Sequence, residues 1–377
     1  MGTDALGLYL HIPFCVRKCN YCDFCSFDLS SVTWRERYID RLCKEISSYV
    51  GYKEERIKLN SIFFGGGTPS LLTPDEFRKI CSAIEESFDI LPDTEFTVEA
   101  NPKTLDREKL RAYTECGVNR LSIGLQSIHE NELKILGRIH NFDKFLESYN
   151  LARECGIDNI NVDLMYGIPE QTMESFERTL DRVLALSPDH ISLYGLIIEE
   201  GTPLYKNIYN LAIPSEDTEC DMYYLATEKL RAVGYSHYEI SNYAKSGCEC
   251  RHNLKYWRSE EYIGIGLNAY SYFGGRRYAN TDEAEVYLMQ ICENYDHTER
   301  SEPSDKPFEY VMLRLRLSEG FSLRDYEARF GRDFMLHKKE IIERFCKAGY
   351  LTFDGDRLAL TERGFYVSNS IITELIM

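Results

Sequence analysis

Six short apolar runs, each followed by a longer amphipathic stretch, constrain this chain more than any other feature in it. The runs cover residues 8–12, 61–64, 95–99, 120–125, 159–165 and 190–196. Each is about one strand long and rich in β-branched or aromatic residues. The amphipathic stretches cover 34–50, 75–88, 105–116, 131–155, 173–186 and 217–233. Thr73-Pro74 supplies a cap and first turn for the second, and Gly117 and Gly156 stand just past the ends of two others. Strands alternating with helices specify an α/β chain with a parallel sheet and right-handed crossovers. A doubly wound sheet gathers its ligand at one switch point. Here polar motifs recur at the C-terminal end of nearly every run. That specifies a partial (βα)6 barrel of the TIM type with its site at the strand C-termini.

The rhythm stops at Gly234. Residues 235–243 and 262–278 are rich in Tyr, Gly and Ser and read as strands and loops, and 281–303 reads as a polar connector with one helical stretch. Three short helices follow at 308–317, 323–330 and 338–348, then a hairpin at 350–360 around Asp354-Gly355 and a last helix after Gly364. This is the outline of a winged-helix-like α+β domain. The expected division is a barrel over 1–234, a barrel extension and connector over 235–304, and the small domain over 305–377. The net charge is −17, and the segment from Asp305 onward is neutral, with 12 basic and 12 acidic residues. An acidic barrel repels phosphate backbones and a neutral winged helix does not attract them, so nucleic acid is not an expected partner. A winged helix of this kind is a packing or partner-binding module.

No window approaches the roughly 18 apolar residues of a membrane helix, and the N-terminal residues have neither a basic region nor a long apolar one. With 13 cysteines and no secretory signal, the expectation is a reducing, cytoplasmic chain, with a peripheral place at the membrane left open. Cys43, Cys81, Cys116, Cys155, Cys220, Cys292 and Cys346 are scattered and read as small buried hydrophobes. Cys15, Cys19 and Cys22 are different. Their C-x3-C-x2-C spacing lets one loop wrap three thiolates around one inorganic core, and thiolates select iron–sulfur or zinc. Zinc would need Cys25 as a fourth ligand. Three ligands to a four-iron cluster would instead leave one iron open for chemistry.

The string LYLHIPFCVRKCNYCDF, with the motifs after it, resembles the radical-SAM superfamily over about the first 280 residues. Within it, the chain is similar to the branch holding oxygen-independent coproporphyrinogen III dehydrogenase and the heme chaperone HemW. The resemblance implies a [4Fe-4S] cluster on Cys15, Cys19 and Cys22, with S-adenosylmethionine (SAM) on the open iron. By position it also implies SAM contacts from Tyr9, from Gly66, Gly67 and Thr68 in FGGGTPS, and from Glu99, Gln126, Arg138 and Asp163. Read without the resemblance, Gly65–Gly67 could be a tight turn, Glu99 and Asp163 helix caps, Gln126 an interior polar group and Arg138 a solvated charge.

The dehydrogenase carries a cysteine two residues after the third ligand, where this chain has Phe24, and an N-terminal extension that this chain lacks. Both differences point to the chaperone branch. RHNLKYW at 251–257 is similar to the HNxxYW motif linked to heme binding there. It suggests His252 or Cys250 as heme ligand, with Tyr256 and Trp257 offering flat faces to a porphyrin. The bland alternative is that His252 and Asn253 brace a loop over the barrel mouth. In GIGLNAYS, Asn268 and Tyr270 replace a glycine and a histidine of the related segment. The expected function is heme binding and transfer to respiratory proteins. The alternatives are oxidative decarboxylation of a porphyrinogen propionate, or a regulator acting through the winged helix.

Overall fold

The computed structural model describes residues 5–52, 54–289, 300–303 and 307–377. All six runs form strands: β1 (Leu6–Ile12), β2 (Lys58–Gly66), β3 (Asp89–Ala100), β4 (Arg120–Gln126), β5 (Asn159–Tyr166) and β6 (His190–Gly195). They pair in that order and in parallel. The run at 95–99 is only the end of β3. The region expected as strands and loops adds a seventh parallel strand, β7 (Tyr262–Ile265), on the free side of β1. Antiparallel strands Asn242–Ala244 and Ser236–Glu239 extend the sheet beyond β6. Tyr270–Phe273, Arg276–Ala279 and Arg300–Pro303 extend it beyond β7. Among the described residues the two ends do not pair, so the barrel is partial. Part of the expected connector is therefore an edge strand; residues 290–299, the 304/305 boundary and Cys292 lie outside the described residues.

Side-chain alternation makes this sheet a barrel wall. Leu8, Leu10 and Ile12, Leu121, Ile123 and Leu125, and Ile160, Val162 and Leu164 are all fully buried in the main core. Each contributes about 1.5–3 kcal/mol by leaving water. The alternate positions are polar or small: Arg120, Ser122, Gly124 and Gln126 on β4, Asn161 and Asp163 on β5, Ser192 and Tyr194 on β6. These line a central cavity. Strands buried on both faces normally read as continuous apolar runs, so the polar alternation marks a lumen.

Two helices depart from expectation in ways that build the site. The stretch 131–155 is not one helix but two, Glu130–Ile135 and Phe142–Glu154. Gly137 at φ +75° breaks it, and the Asn141 side chain caps the second helix by accepting from the Lys144 N–H. The break carries Arg138 into the barrel. The helix Arg251–Arg258 does not lie over the mouth; it plugs the opposite end, the floor. The Glu95 carboxylate accepts from the N–H groups of Arg251 (2.9 Å) and His252 (3.0 Å), capping the helix from the barrel wall. Lys255 Nζ reaches the Ala5 carbonyl at 3.2 Å.

The C-terminal residues form the expected small domain: helices Pro307–Arg314, Leu323–Phe330 and Met335–Lys347, the hairpin Leu351–Phe353 with Arg357–Leu360, and two closing helices. It has its own core around Phe321, Tyr326 and Leu358. It buttresses the floor: Ser318 N–H donates to Tyr238 O (3.0 Å), and the Arg316 guanidinium lies 5.4 Å over the Trp257 ring. Of the scattered cysteines, Cys81 is buried as expected. Cys43, Cys116, Cys155, Cys220 and Cys346 are only half-buried, because they sit where helices meet solvent.

Candidate functional site

A cavity of about 520 Å³ runs from the mouth of the lumen to its floor. It is lined by Cys15, Cys19, Cys22, Tyr9, Gly66, Gly67, Thr68, Glu99, Gln126, Arg138, Asp163 and His252. Every residue singled out from the sequence for the cluster or SAM is thus in one place. Cys250 is not. It is fully buried behind the wall, where its thiol donates to Glu95 Oε1 at 3.6 Å.

The cysteine loop closes the mouth. Thr68 Oγ1 donates to Cys15 Sγ (3.7 Å) and Arg138 Nη1 to Cys19 Sγ (3.6 Å). Cys25 turns away, with its Sγ 3.9 Å from the Asp282 carbonyl. Among the described residues no three metal-ligating side chains converge on a point one ion could occupy. Burial pushes the Cys15 and Cys22 thiols up, so metal must displace their protons. The residues fit a cluster held by three cysteines, with a guanidinium beside an anionic core.

Backbone comes close at this end. A Cβ on Gly67 would stand 2.7 Å from the Phe14 carbonyl and 2.9 Å from that of Ile12; Gly66 has φ +106°. Gln126 ends β4 at φ +69°, a conformation that non-glycine residues seldom hold. His11 Nε2–H donates to Cys25 O (2.8 Å), leaving Nδ1 to accept from the Tyr9 hydroxyl at 3.1 Å. Burial pushes the Tyr9 phenol well up, so it stays a neutral donor.

Glu99 and Asp163 face each other across the lumen. Burial, with the Asp163 charge adding, pushes Glu99 up to about 8, although it accepts from Gly66 N–H at 3.2 Å. Burial likewise raises Asp163. Neither caps a helix; the neighbouring caps are Asp106 and Thr172. Two carboxylates that discourage each other's ionisation suit a cationic or polyhydroxyl ligand. Asp163 accepts from Asn161 Nδ2 (2.7 Å). Asn161 Oδ1 in turn accepts from His190 Nδ1–H (2.6 Å), and Tyr238 O–H donates to His190 Nε2 at 2.7 Å.

At the floor, both nitrogens of His252 are engaged, Nδ1 with Ser61 Oγ (2.9 Å) and Nε2 with Tyr256 Oη (2.8 Å). Its ring stacks on Phe63 at 5.2 Å. Burial, with the charges of Lys255 and Arg120 adding, holds it down to about 3 and hence neutral.

The sequence reading passed over Asn101 and Arg120. Asn101 Oδ1 accepts from Arg138 Nη2 (2.5 Å) and its Nδ2 donates to Thr68 Oγ1 (2.8 Å), joining three of the strand ends. Arg120 lines the lower lumen. The signal was present: polar or small residues at every second position of RLSIGLQ, NINVD and HISLY.

A parallel partial barrel carrying a three-cysteine loop at its C-terminal mouth is the architecture of radical SAM proteins. The Radical SAM superfamily model matches residues 9–183, and the HemN C-terminal domain model matches 302–367. The chain is 35% identical over 369 residues to the heme chaperone HemW of Bacillus subtilis, covering 96% of this chain and 97% of that one. It is 36% identical to that of Escherichia coli over 370 residues, covering 97% of each. The solved coproporphyrinogen III oxidase HemN from Escherichia coli, a radical SAM enzyme, superposes with a TM-score of 0.84 at 22% identity, over 99% of this chain and 90% of that one. The chain belongs to the HemW family.

Proposed function

We propose that this protein is a heme-binding radical SAM protein that passes heme to respiratory proteins. Cys15, Cys19 and Cys22 hold a [4Fe-4S] cluster. Tyr9, Gly66, Gly67, Thr68, Glu99, Gln126, Arg138 and Asp163 hold SAM beside it. When bound, the cluster and SAM supply one-electron reducing power and radical chemistry. The chain's own part is to exclude water, present close backbone at Gly66 and Gly67, and offer carboxylates to a zwitterionic ligand. The single observation carrying this is that all eleven side chains and glycines face one cavity.

Support for heme as cargo comes from the relatives' name and the HNLKYW segment. As ligands, Cys250 would have to leave Glu95, and His252 would have to release Tyr256 or Ser61. His252 is the better candidate, because it alone of the two lines the cavity. We place its site of action in the cytoplasm or at the membrane surface; among the described residues no helix is long and apolar enough to cross a membrane.

The test is an anaerobic heme titration of cluster-reconstituted protein, read at the Soret band, with an assay for 5′-deoxyadenosine. Saturable binding near one heme per chain supports the chaperone reading. No saturable heme binding, with SAM cleaved in the presence of coproporphyrinogen, sinks it in favour of the decarboxylating enzyme.

A further inference from the structure

β4 opens on Arg120 and closes on Gln126. Six strand residues separate these two ends of the lumen by roughly 20 Å. The two buried guanidiniums of the cavity sit at opposite ends of it, and they are not equally used. Arg138, at the mouth, bonds to Cys19, Asn101 and the Gly124 carbonyl. Arg120, at the floor, is 2% exposed and lines the cavity, and its Nε is a buried donor with no partner. Among the described residues, its guanidinium has no hydrogen bond or ion pair.

The nearest carboxylates are already committed. Asp163 accepts from Asn161 (2.7 Å) and Ser122 (3.4 Å). Glu95 accepts from the N–H groups of Arg251 and His252 and the thiol of Cys250. Neither is within ion-pair reach of Arg120. Burial works against its charge, and the charges of Glu95 and Asp163 favour it without bonding to it; the group that would complete it best is a carboxylate gripping two N–H bonds at once. Ser122 and Asn253 are further polar residues lining the cavity.

We propose that Arg120 is an anion receptor at the lumen floor, and that it takes a carboxylate of a ligand other than SAM. SAM's own carboxylate belongs at the cysteine loop, and its adenosine end bears no anion. A cavity of about 520 Å³ is in the range for one drug-sized ligand. A tetrapyrrole therefore cannot share it with SAM. Resting on the function proposed above, the carboxylate is a porphyrin propionate.

The full-length, reconstituted protein is compared with Arg120→Met and Arg120→Lys in three titrations. Hemin should bind the parent at least about tenfold tighter than hemin dimethyl ester, and Arg120→Met should bring the two to parity, with Arg120→Lys between them. SAM affinity should stay within about twofold in both variants. Independently of any porphyrin, millimolar sodium propionate should raise the melting temperature of the parent and not of Arg120→Met. Loss of SAM affinity in Arg120→Met with hemin unaffected would overturn the proposal by assigning the site to SAM. Equal protection of parent and variant by propionate would overturn it outright. Absence of hemin binding in the parent, with the propionate difference intact, would retire the porphyrin and leave the receptor.

Discussion

The two ends of the lumen are built on opposite principles. At the mouth the chain leaves polar groups short of partners and backbone in unusual conformations. Gly66 and Gln126 have positive φ, Arg138 keeps an unpartnered Nε, and Glu99 and Asp163 crowd one another. At the floor most groups are paired. Glu95 caps a helix, both nitrogens of His252 are bonded, and Lys255 reaches Ala5 O and Glu260. Strain and unmet polarity collect where a ligand completes the structure, whereas satisfied networks hold a shape. The pairing at the floor is not complete: Trp257 Nε1, Ser259 Oγ and Arg316 Nε are buried without a partner, but Arg120 is the unpartnered charge there that lines the cavity, which is why it carries the inference above.

The largest effect should come from breaking the mouth. Replacing Cys15, Cys19 or Cys22 by Ala should abolish the iron content and the charge-transfer absorbance of the reconstituted protein. Cys25→Ser and Cys250→Ala should keep both, because one thiol points to Asp282 O and the other to Glu95. If Cys25→Ser lost the iron, the mouth would be a four-cysteine site and the zinc alternative would return.

His252→Ala probes the floor. It removes a fully buried ring and strands the hydroxyls of Ser61 and Tyr256. The expected cost is about 2–4 kcal/mol of stability, read by chemical denaturation. Iron content should be unchanged. Lost heme binding without lost stability would show that His252 is a ligand more than a strut, and the contrast between the two ends would weaken.

Much of the mouth was legible because its chemistry is local in sequence. Three cysteines within eight residues, a glycine run after β2, and single polar residues at strand ends all announce themselves by spacing. The floor was not legible, because HNLKYW lies more than 150 residues from Glu95, which positions it. No periodicity says that a helix will enter a barrel from below and not cover its top. β7 was hidden for another reason. Four residues, YIGI, pair as a parallel strand only because β1 offers a free edge. Arg138 sits in a stretch whose amphipathic pattern runs straight through Gly137, so propensity favoured one helix where two were needed. Arg120 could have been read. A charge opening a strand whose alternate residues are Ser122, Gly124 and Gln126 is a polar face, and a buried parallel strand has one only beside a lumen.

Gly67→Ala tests close approach at the mouth. The added Cβ meets two backbone carbonyls, which cannot swing aside as a side chain would. A loss of about 1–3 kcal/mol of stability is expected, with weakened SAM binding by equilibrium dialysis. Unchanged SAM affinity would show that the glycine serves folding alone.

The carboxylate pair gives a pH signature in the ligand-free protein. Glu99, raised to about 8 from an ordinary 4.5, keeps a proton when folded that the unfolded chain releases. Its contribution is full below about 4.5 and is lost as the pH rises through about 8. Glu99→Gln cannot lose that proton. Its melting temperature should therefore fall less than the parent's between pH 5 and 8, and saturating SAM should narrow the difference. Parallel curves for the two proteins would mean that solvent in the open lumen already relieves the pair.

The smallest effect belongs to the rim of the floor. Arg258 pairs with Glu319 of the C-terminal domain at 3.2 Å, but both side chains are partly in water. Exposed pairs of this kind contribute about 0–1 kcal/mol. The domain is held by other contacts as well, to the plug helix by the Arg316 guanidinium over Trp257, and to the edge strand Ser236–Glu239 and the turn after it by the backbone bonds from Ser318 N–H to Tyr238 O and from Ile240 N–H to Arg316 O. Arg258→Ala should therefore lower stability by no more than about 0.5 kcal/mol and flatten its dependence on salt. Trp257→Ala should cost about 3–5 kcal/mol, because a large ring leaves a packed interface. A large loss in Arg258→Ala that vanishes in high salt would mean that charge, more than packing, docks the C-terminal domain. The floor would then be an adjustable element, and its contrast with the mouth would be one of degree.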